Sequence, residues 1–594
     1  MRKSIVARAL LYAGLMLIAG NAMGEAISVE LKQNEQGWQL YRGGEPYFIR
    51  GAGGSHSLQQ LADAGGNSVR TWGGDDIGPL LDEAHRLGLT VAVGIWLEHE
   101  RHGFDYKDDA QVAEQLQKAR DMVLKFKDHP AVLLWGIGNE MEGFEAGDDP
   151  AIWAAVNDVA AMAKELDPHH PTMTVTAEIG GGRIDSVHKN SPAIDIHGIN
   201  AYGGAASIAE RLRAGGASKP FVLTEFGPRG SWEAPTTSWG APFEQTSTEK
   251  AAFYRNTYEQ SISAEPGFAL GSYAFTWGFK MEATATWFGM FLNDGSRLGV
   301  IDTMSELWSG SPPRDLAPTI ENLVLQGPNE LDPSEELKVT VNIADPEDGP
   351  IRTHWVLRPE SGDYATGGDF RPQLPDIEGV VIHSGLDAAT VRMPEYPGEY
   401  RLFLYAYDAA GNAATANLPL LVKGEVRTRL PLSVYEDSLE HMPWVPSGWM
   451  GNTEALTLDG ANTDNPQAGS ASIRMRYTGT FGWVGVAWQN PPNNWGEQDG
   501  GFDLTGANEL EVWARGEYGG EKIKIGVGLL ESDRAFPDSG ITSVDGIVLT
   551  NDWQRYTVPL KNTDLSSLKT GFVVVTTGRT SPVTIYLDSI RFIR

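Results

Sequence analysis

The chain has no cysteine among its 594 residues. Disulfides are therefore excluded, and so is anchoring through a lipid-modified cysteine. An exported protein without disulfides fits a bacterial periplasmic or secreted setting better than a eukaryotic extracellular one. Basic side chains are scarce: 47 Lys and Arg stand against 78 Asp and Glu, for a net charge of −31. Nucleic acid needs a basic footprint and is excluded as a partner. The acidic balance fits a neutral ligand, and equally a surface that only needs to stay soluble. Beyond residue 24 no long apolar run occurs, so no integral membrane segment is expected in the mature protein. His56, His99, His102 and His197 do not form a metal-binding spacing such as HExxH, and no catalytic metal is expected. No Gly-rich loop ends in Lys-Ser or Lys-Thr, so nucleotide use is not indicated. Repeats and low-complexity tracts are also missing.

The N-terminus supplies Arg2, Lys3 and Arg8, an apolar run from Ala9 to Ala19, and small residues at Ala22-Met23-Gly24. This pattern predicts a signal peptide over 1–24, cleaved near Gly24. A length of 594 residues is too great for one core. Three regions follow.

Residues 27–312 alternate short apolar runs with amphipathic segments. Eight runs read as strands: 47–53, 67–72, 89–96, 131–140, 172–178, 194–202, 220–227 and 271–277. Segments such as 76–88 and 109–126 have helical periodicity between them. Eight strands separated by helices predict a (β/α)8 TIM barrel. The competing open doubly wound sheet would need a phosphate-binding turn. "RGAGGSH" (50–56) is not followed by a helix and acidic partner in that register. The prolines in "SGSPPRDLAPTI" (309–320) break the pattern. Residues 317–424 then alternate with period two and predict an immunoglobulin-like β-sandwich. Residues 428–594 are also all-β and predict a jelly-roll sandwich.

In such a barrel, chemistry sits where strands end. The stretch "LLWGIGNEMEG" (133–143) runs through apolar residues into Asn139 and Glu140. "FVLTE" (221–225) delivers Glu225 in the same way from the strand three along. Other strand ends carry Arg70 and Trp72, Trp96, Asn200 and Tyr202, and Trp277. Two carboxylates across a small pocket are what glycoside hydrolysis needs: one protonated to assist the leaving oxygen, one ionised to attack or stabilise the sugar cation. Tyr202 is placed to hydrogen-bond Glu225 and hold it ionised, which leaves Glu140 as the protonated partner. Glu142 and Glu178 also lie near strand ends, without a matching motif. Trp232, Trp239 and Trp287 fall in long segments around the last two strands, where a sugar-binding role and local packing stand level.

"HPAVLLWGIGNE" (129–140), "KPFVLTEFG" (219–227), "GINAYGG" (198–204) and "SVRTW" (68–72) together resemble the retaining glycoside hydrolases of the large (β/α)8 clan A. The likeness is strongest to the catalytic barrel of the β-galactosidase and β-glucuronidase family. It is weaker to the fungal β-1,3-glucanosyltransferases. It covers about residues 35–310. The resemblance implies Glu140 as acid/base, Glu225 as nucleophile, Asn139 on the sugar 2-hydroxyl and Arg70 bonded to Glu225. It also implies Tyr202 orienting Glu225 and Trp277 as the floor of the sugar subsite. Trp96 and Asn200, at strand ends, are further substrate-binding candidates, with barrel packing the alternative for Trp96 and Trp277. The sequence departs from the family in lacking its N-terminal β-domains, with only the hairpin at 37–51 before the barrel. Its first strand gives "RGAGGSH" where that family has an Asn-x-His pattern.

The C-terminal region holds Trp444, Trp449, Trp483, Trp488 and Trp495. It resembles jelly-roll carbohydrate-binding modules, and "YLDSIRF" (586–592) is similar to their last strand. That resemblance implies a structural calcium ion on Glu436, Asp437 and Asp588. The expected function is a secreted or periplasmic retaining β-glycoside hydrolase acting on a polysaccharide or its oligosaccharides, with no cofactor in catalysis. A β-glucan, β-1,3-linked, is the first substrate considered. The same carboxylates would serve a transglycosylase, and a barrel that has lost catalysis would leave a carbohydrate-binding surface protein. Sugar, linkage, endo or exo action and oligomeric state stay open at this level.

Overall fold

The computed structural model describes residues 25–74, 76–100, 103–143, 147–360, 364, 373–374, 376–395, 397–424, 430–439, 442–480 and 482–594. The expected signal peptide at 1–24 and His102 lie outside the described residues.

A three-stranded hairpin opens the described chain: β1 (Val29–Asn34), β2 (Gly37–Arg42) and β3 (Glu45–Tyr47). Eight parallel strands then close into a barrel. They are β4 (Ile49–Gly53), β5 (Ser68–Arg70), β6 (Thr90–Ile95), β7 (Val132–Ile137), β8 (Thr172–Ala177), β9 (Ile196–Asn200), β10 (Phe221–Phe226) and β11 (Ala269–Phe275). Each falls within one of the eight expected runs, β11 starting two residues earlier. β6, β7, β9, β10 and β11 are buried at every position, because one face fills the barrel and the other lies under helices. Val29 and Leu40 of the hairpin join Ile49, Leu134, Val175, Val222 and Tyr273 in one cluster, so the hairpin packs against barrel residues.

The helix Asp109–Phe126 shows how the sequence sets the outer layer. Asp108 caps it by accepting from the backbone N–H groups of Ala110 and Gln111, and Gln115, Ala119, Val123 and Phe126 form its buried stripe. Among the described residues, no helix is long and apolar enough to cross a membrane.

The last barrel-side helix ends at Ser309, and two four-stranded sheets span Thr319 to Val422. Strand Glu336–Ala344 buries Leu337, Val339 and Val341 in alternation, as a sheet with one wet face should. The strand Gly398–Tyr407 behaves differently and is buried nearly throughout. Leu402, Leu404 and Ala406 face the sandwich core, while Phe403 and Tyr405, with Val356 and Ala413, join the barrel's own core. The sandwich is thus welded onto the barrel rather than tethered to it. The third domain, from Leu432 to Ile593, packs a six-stranded antiparallel group against a five-stranded sheet. Its core contains Trp444, Trp488, Phe572 and Phe592.

Candidate active site

Beyond β7 the chain turns sharply. Gly138 has φ +66°, and a Cβ there would meet the Met141 side chain at 2.7 Å, so only glycine fits. Glu140 itself sits at φ +51°, a region non-glycine residues seldom occupy. Its backbone N–H donates to Val175 O of β8 at 2.9 Å, which holds the carboxylate over the barrel rather than along the strand. Strain of this kind concentrates at functional sites.

Glu225, near the end of β10, is buried and accepts three hydrogen bonds. Arg70 Nη1 and Trp72 Nε1 each reach Oε1 at 2.8 Å, and the Tyr202 hydroxyl reaches Oε2 at 2.8 Å. An acceptor-only arrangement suits the ionised carboxylate. Arg70 also donates to Asn139 Oδ1 at 2.6 Å and to Thr224 O at 3.1 Å. Asn200 Nδ2 donates to Asn139 Oδ1 at 3.1 Å and to Glu140 Oε1 at 2.8 Å, and its own Oδ1 accepts from Thr224 Oγ1 at 2.9 Å. One connected network therefore runs from Glu225 through Arg70, Asn139 and Asn200 to Glu140. With its oxygen taken twice, Asn139 keeps its NH2 as the end open to a ligand.

The two carboxyl groups have different surroundings. Burial, reinforced by the charge of Glu225, pushes the Glu140 carboxyl up to about 8, against the opposing pull of the Asn200 hydrogen bond. Glu140 has one donor and no cation in contact, whereas Glu225 has Arg70. Burial, then the charge of Glu225, raises the Tyr202 phenol well above its usual range, so it stays a donor.

The structure thus brings together Arg70, Asn139, Glu140, Asn200, Tyr202 and Glu225. Asn200, expected on the substrate, is only 2% exposed and spends its amide on protein partners; it orients the two neighbouring side chains instead. Trp96 stands at the rim, 39% exposed and stacked at a tilt on His99. Trp277 does not form the floor. It is 1% exposed and wedged against Phe291 and Trp308, behind the strand end. The aromatic beside Tyr202 from β11 is Phe275, with Phe288 adjoining both. A period of two would put 275 and 277 on one face, but β11 ends at Phe275 and Trp277 lies beyond it. From the sequence Trp72 is only a strand-end residue; the structure adds its indole bond to Glu225.

Trp232 is 54% exposed and meets Tyr202 edge-on at 5.5 Å. Its loop is pinned by Glu233, whose Oε2 accepts from the N–H groups of Gly203 and Gly230. Trp287 is buried and donates to Arg229 O. Glu142 is buried in an ion pair with Arg183, and Glu178 pairs with Arg211, so both carboxylates serve the scaffold. His197 belongs to a buried chain: its Nδ1 lies 3.0 Å from His188 Nε2 and its Nε2 lies 2.9 Å from Thr176 Oγ1.

In the C-terminal domain Asp437 and Asp588 are neighbours: burial, with the charge of Asp437 adding to it, raises the Asp588 carboxyl. Glu436, just past the strand Leu432–Tyr435, accepts from Ser433 Oγ. Asp588 accepts from the N–H groups of Gln467, Ala468 and Ser589, and Asp437 from those of Ser470 and Ala471. Among the described residues no group of three or more His, Cys, Asp or Glu is placed to hold a metal ion. Of the tryptophans there, Trp444 and Trp488 are core, Trp449 packs against the core, and Trp483 is 46% exposed at the end of the five-stranded sheet.

Residues 77–239 match "Glycosyl hydrolases family 2, TIM barrel domain", and residues 431–594 match "Carbohydrate binding domain 30". The first match contains Glu140 and Glu225 and leaves Arg70 and Phe275 outside. "Putative mannan endo-1,4-beta-mannosidase 9" of Oryza sativa subsp. japonica is 24% identical over 332 residues, covering 42% of this chain and 77% of that protein. "Putative beta-glucuronidase" of Formosa agariphila is 26% identical over 171 residues, 28% of this chain and 14% of that protein. Among solved structures, a β-glucuronidase from Ruminococcus gnavus in complex with C6-substituted uronic isofagomine has 17% identity and a TM-score of 0.38. That comparison covers 48% of this chain and 52% of the other, so the present chain spans about half of that relative. The closed eight-stranded barrel thus contains a segment similar to the TIM barrel domain of glycosyl hydrolases family 2, and the C-terminal domain is similar to carbohydrate binding domain 30.

Proposed function

We propose that the protein is a retaining β-glycoside hydrolase that acts, after export, on a neutral β-linked polysaccharide or its oligosaccharides, a β-glucan or a β-mannan. The observation that carries this reading is the linked but unlike pair of carboxylates. Glu225 is held by a cation and two further donors, and Glu140 is kept protonated by burial.

In the first step a Glu225 oxygen attacks the anomeric carbon while Glu140 gives its proton to the departing glycosidic oxygen. The C–O bond to the leaving sugar breaks as the C–O bond to Glu225 forms. Glu140, now ionised, takes a proton from water, whose oxygen attacks the same carbon and frees Glu225. Two displacements restore the original configuration. The Asn139 NH2 is placed to donate to a sugar hydroxyl beside the reacting carbon. Trp96 and Trp232 leave apolar faces exposed at the rim, as successive sugars of a polymer need. The mannosidase name of the rice relative supports including mannan, and the carbohydrate-binding match supports a polymer over a small glycoside.

The test is hydrolysis of purified β-glucans, β-mannans, galactans and xylans, with NMR of the first-formed products. Release of the β-anomer from a β-glucan or β-mannan is expected. Release of the α-anomer, or no cleavage of any β-glycan, would overturn the proposal.

A further inference from the structure

The sandwich presents one buried polar face to the barrel. Arg401, Phe403 and Tyr405 alternate on one strand, and Ala413, Thr415 and Asn417 alternate on its neighbour. Arg401 Nε binds Glu360 at 2.7 and 3.0 Å, its Nη1 reaches Asn417 Oδ1 at 2.6 Å, and its Nη2 crosses to Pro242 O of the barrel at 2.8 Å. Asn417 Nδ2 crosses as well, to Glu244 Oε2 at 2.6 Å and Thr286 Oγ1 at 3.3 Å. Glu244 accepts in addition from Thr284 Oγ1 at 2.6 Å, Thr286 Oγ1 at 2.8 Å and Lys250 Nζ at 2.5 Å, while Lys250 donates to Thr286 O at 2.7 Å.

Two anions and two cations are buried here together. Buried ion pairs of this kind add little stability over apolar packing of the same volume; what they can add is a single permitted arrangement. The segment they fix is the loop after β11. Thr284 and Thr286 belong to it, and so do Ala283, Trp287 and Phe288, which pack with Tyr202 and Phe275. Phe288 lies 5.3 Å from the Tyr202 ring, and Tyr202 holds Glu225.

We infer that Asn417 and Arg401 of the sandwich are positioning residues for the nucleophile, acting through Glu244, the Thr284–Thr286 segment and Phe288 on Tyr202. The barrel's catalytic geometry is then a property of two domains. This rests on the hydrolase reading above. The intact protein is compared as wild type, Asn417→Ala, Thr286→Val, Tyr202→Phe and the two double variants. The substrate is the β-glucan or β-mannan that the wild type cleaves fastest, with thermal denaturation to verify folding. Each single change at 417 or 286 is expected to lower kcat about 5- to 20-fold with KM within twofold. In the Tyr202→Phe background the same changes should cost less than twofold, because their route is already cut. Equal losses in both backgrounds, or a wild-type kcat in both folded variants, would overturn the inference while leaving the hydrolase reading intact. No cleavage by the wild type would overturn both.

Discussion

Trp72 Nε1 and Arg70 Nη1 converge on one oxygen of Glu225, each at 2.8 Å. Two donors on one oxygen leave the other to Tyr202 alone, which fixes the plane of the carboxylate. Trp72→Phe keeps the ring packing and removes one charge-assisted hydrogen bond. Such a bond contributes about 1.5–3 kcal/mol. We expect kcat to fall roughly 10- to 100-fold with KM little changed, measured by steady-state kinetics on the best polysaccharide.

The unlike surroundings of Glu140 and Glu225 predict unlike variants. Glu225→Ala should lose about 10⁴-fold or more in kcat and regain turnover with azide, which fills the place of the nucleophile. Glu140→Ala should lose about 10²- to 10⁴-fold on natural glycosides and far less on activated aryl glycosides, whose leaving groups need no proton. Swapped behaviour would reverse the two roles.

Burial of Glu140 also has a cost that depends on pH. Its folded-state value is raised, so it is protonated in both states below about pH 4.5. Between there and about pH 8 the unfolded chain ionises while the folded one does not. Stability contributed by the neutral carboxyl is therefore lost as pH rises through that window. Glu140→Gln should unfold at the wild-type temperature near pH 4 and at a higher one at pH 9. The difference there is on the order of a few kcal/mol. Activity of the wild type should decline over the same alkaline limb.

The His188–His197 pair predicts the opposite trend on the acid side. Backbone N–H groups of Ser218 and Lys219 donate to His188 Nδ1, which fixes the tautomer with the proton on Nε2, facing His197. Burial lowers His188 from 6.5 to about 4 and lowers His197 well below its usual value. Both fold as neutral rings, so stability is complete above about pH 6.5 and is lost as pH falls toward 4. His188→Gln should flatten that loss by about 1 kcal/mol or more between pH 6.5 and 4.5, read from urea midpoints.

Fragments should separate the domains unequally. Residues 25–312 lose Val356, Phe403, Tyr405 and Ala413 from the barrel core, and Glu244 loses Asn417. That fragment should aggregate or bind ANS. Residues 25–424 should fold and keep kcat on short oligosaccharides while losing affinity for polymer. In the full chain Trp483→Ala should weaken retention on polymer about tenfold, as truncation of an exposed aromatic anchor does.

The barrel was legible because parallel strands buried on both faces leave continuous apolar runs, and the end of such a run marks the mouth. Glu140, Glu225, Arg70 and Tyr202 were found that way. What escaped depends on side-chain direction. Asn200 and Asn139 look alike at strand ends, yet only one amide is spent wholly on its neighbours. Trp277 and Phe275 differ by two residues, and the end of β11 separates Phe275, beside Tyr202, from Trp277, behind the wall. The double-sided burial of the strand Gly398–Tyr407 is present in the sequence as the apolar run "LFLYAY" (402–407), the mark of a strand packed on both faces. Local pattern alone gives an ordinary sandwich strand, because its second partner, around Pro242 and Glu244 of the barrel, lies more than a hundred residues away.

Asn200 gives the site a built-in reporter. Its side-chain nitrogen donates at once to the amide oxygen of Asn139 and to a carboxyl oxygen of Glu140, so its two hydrogens sense different neighbours. When Glu140 changes protonation during turnover, the two amide resonances should move apart by unequal amounts. Nitrogen-15 labelling of asparagine would then follow the proton of the acid/base through the reaction without altering any residue that performs it.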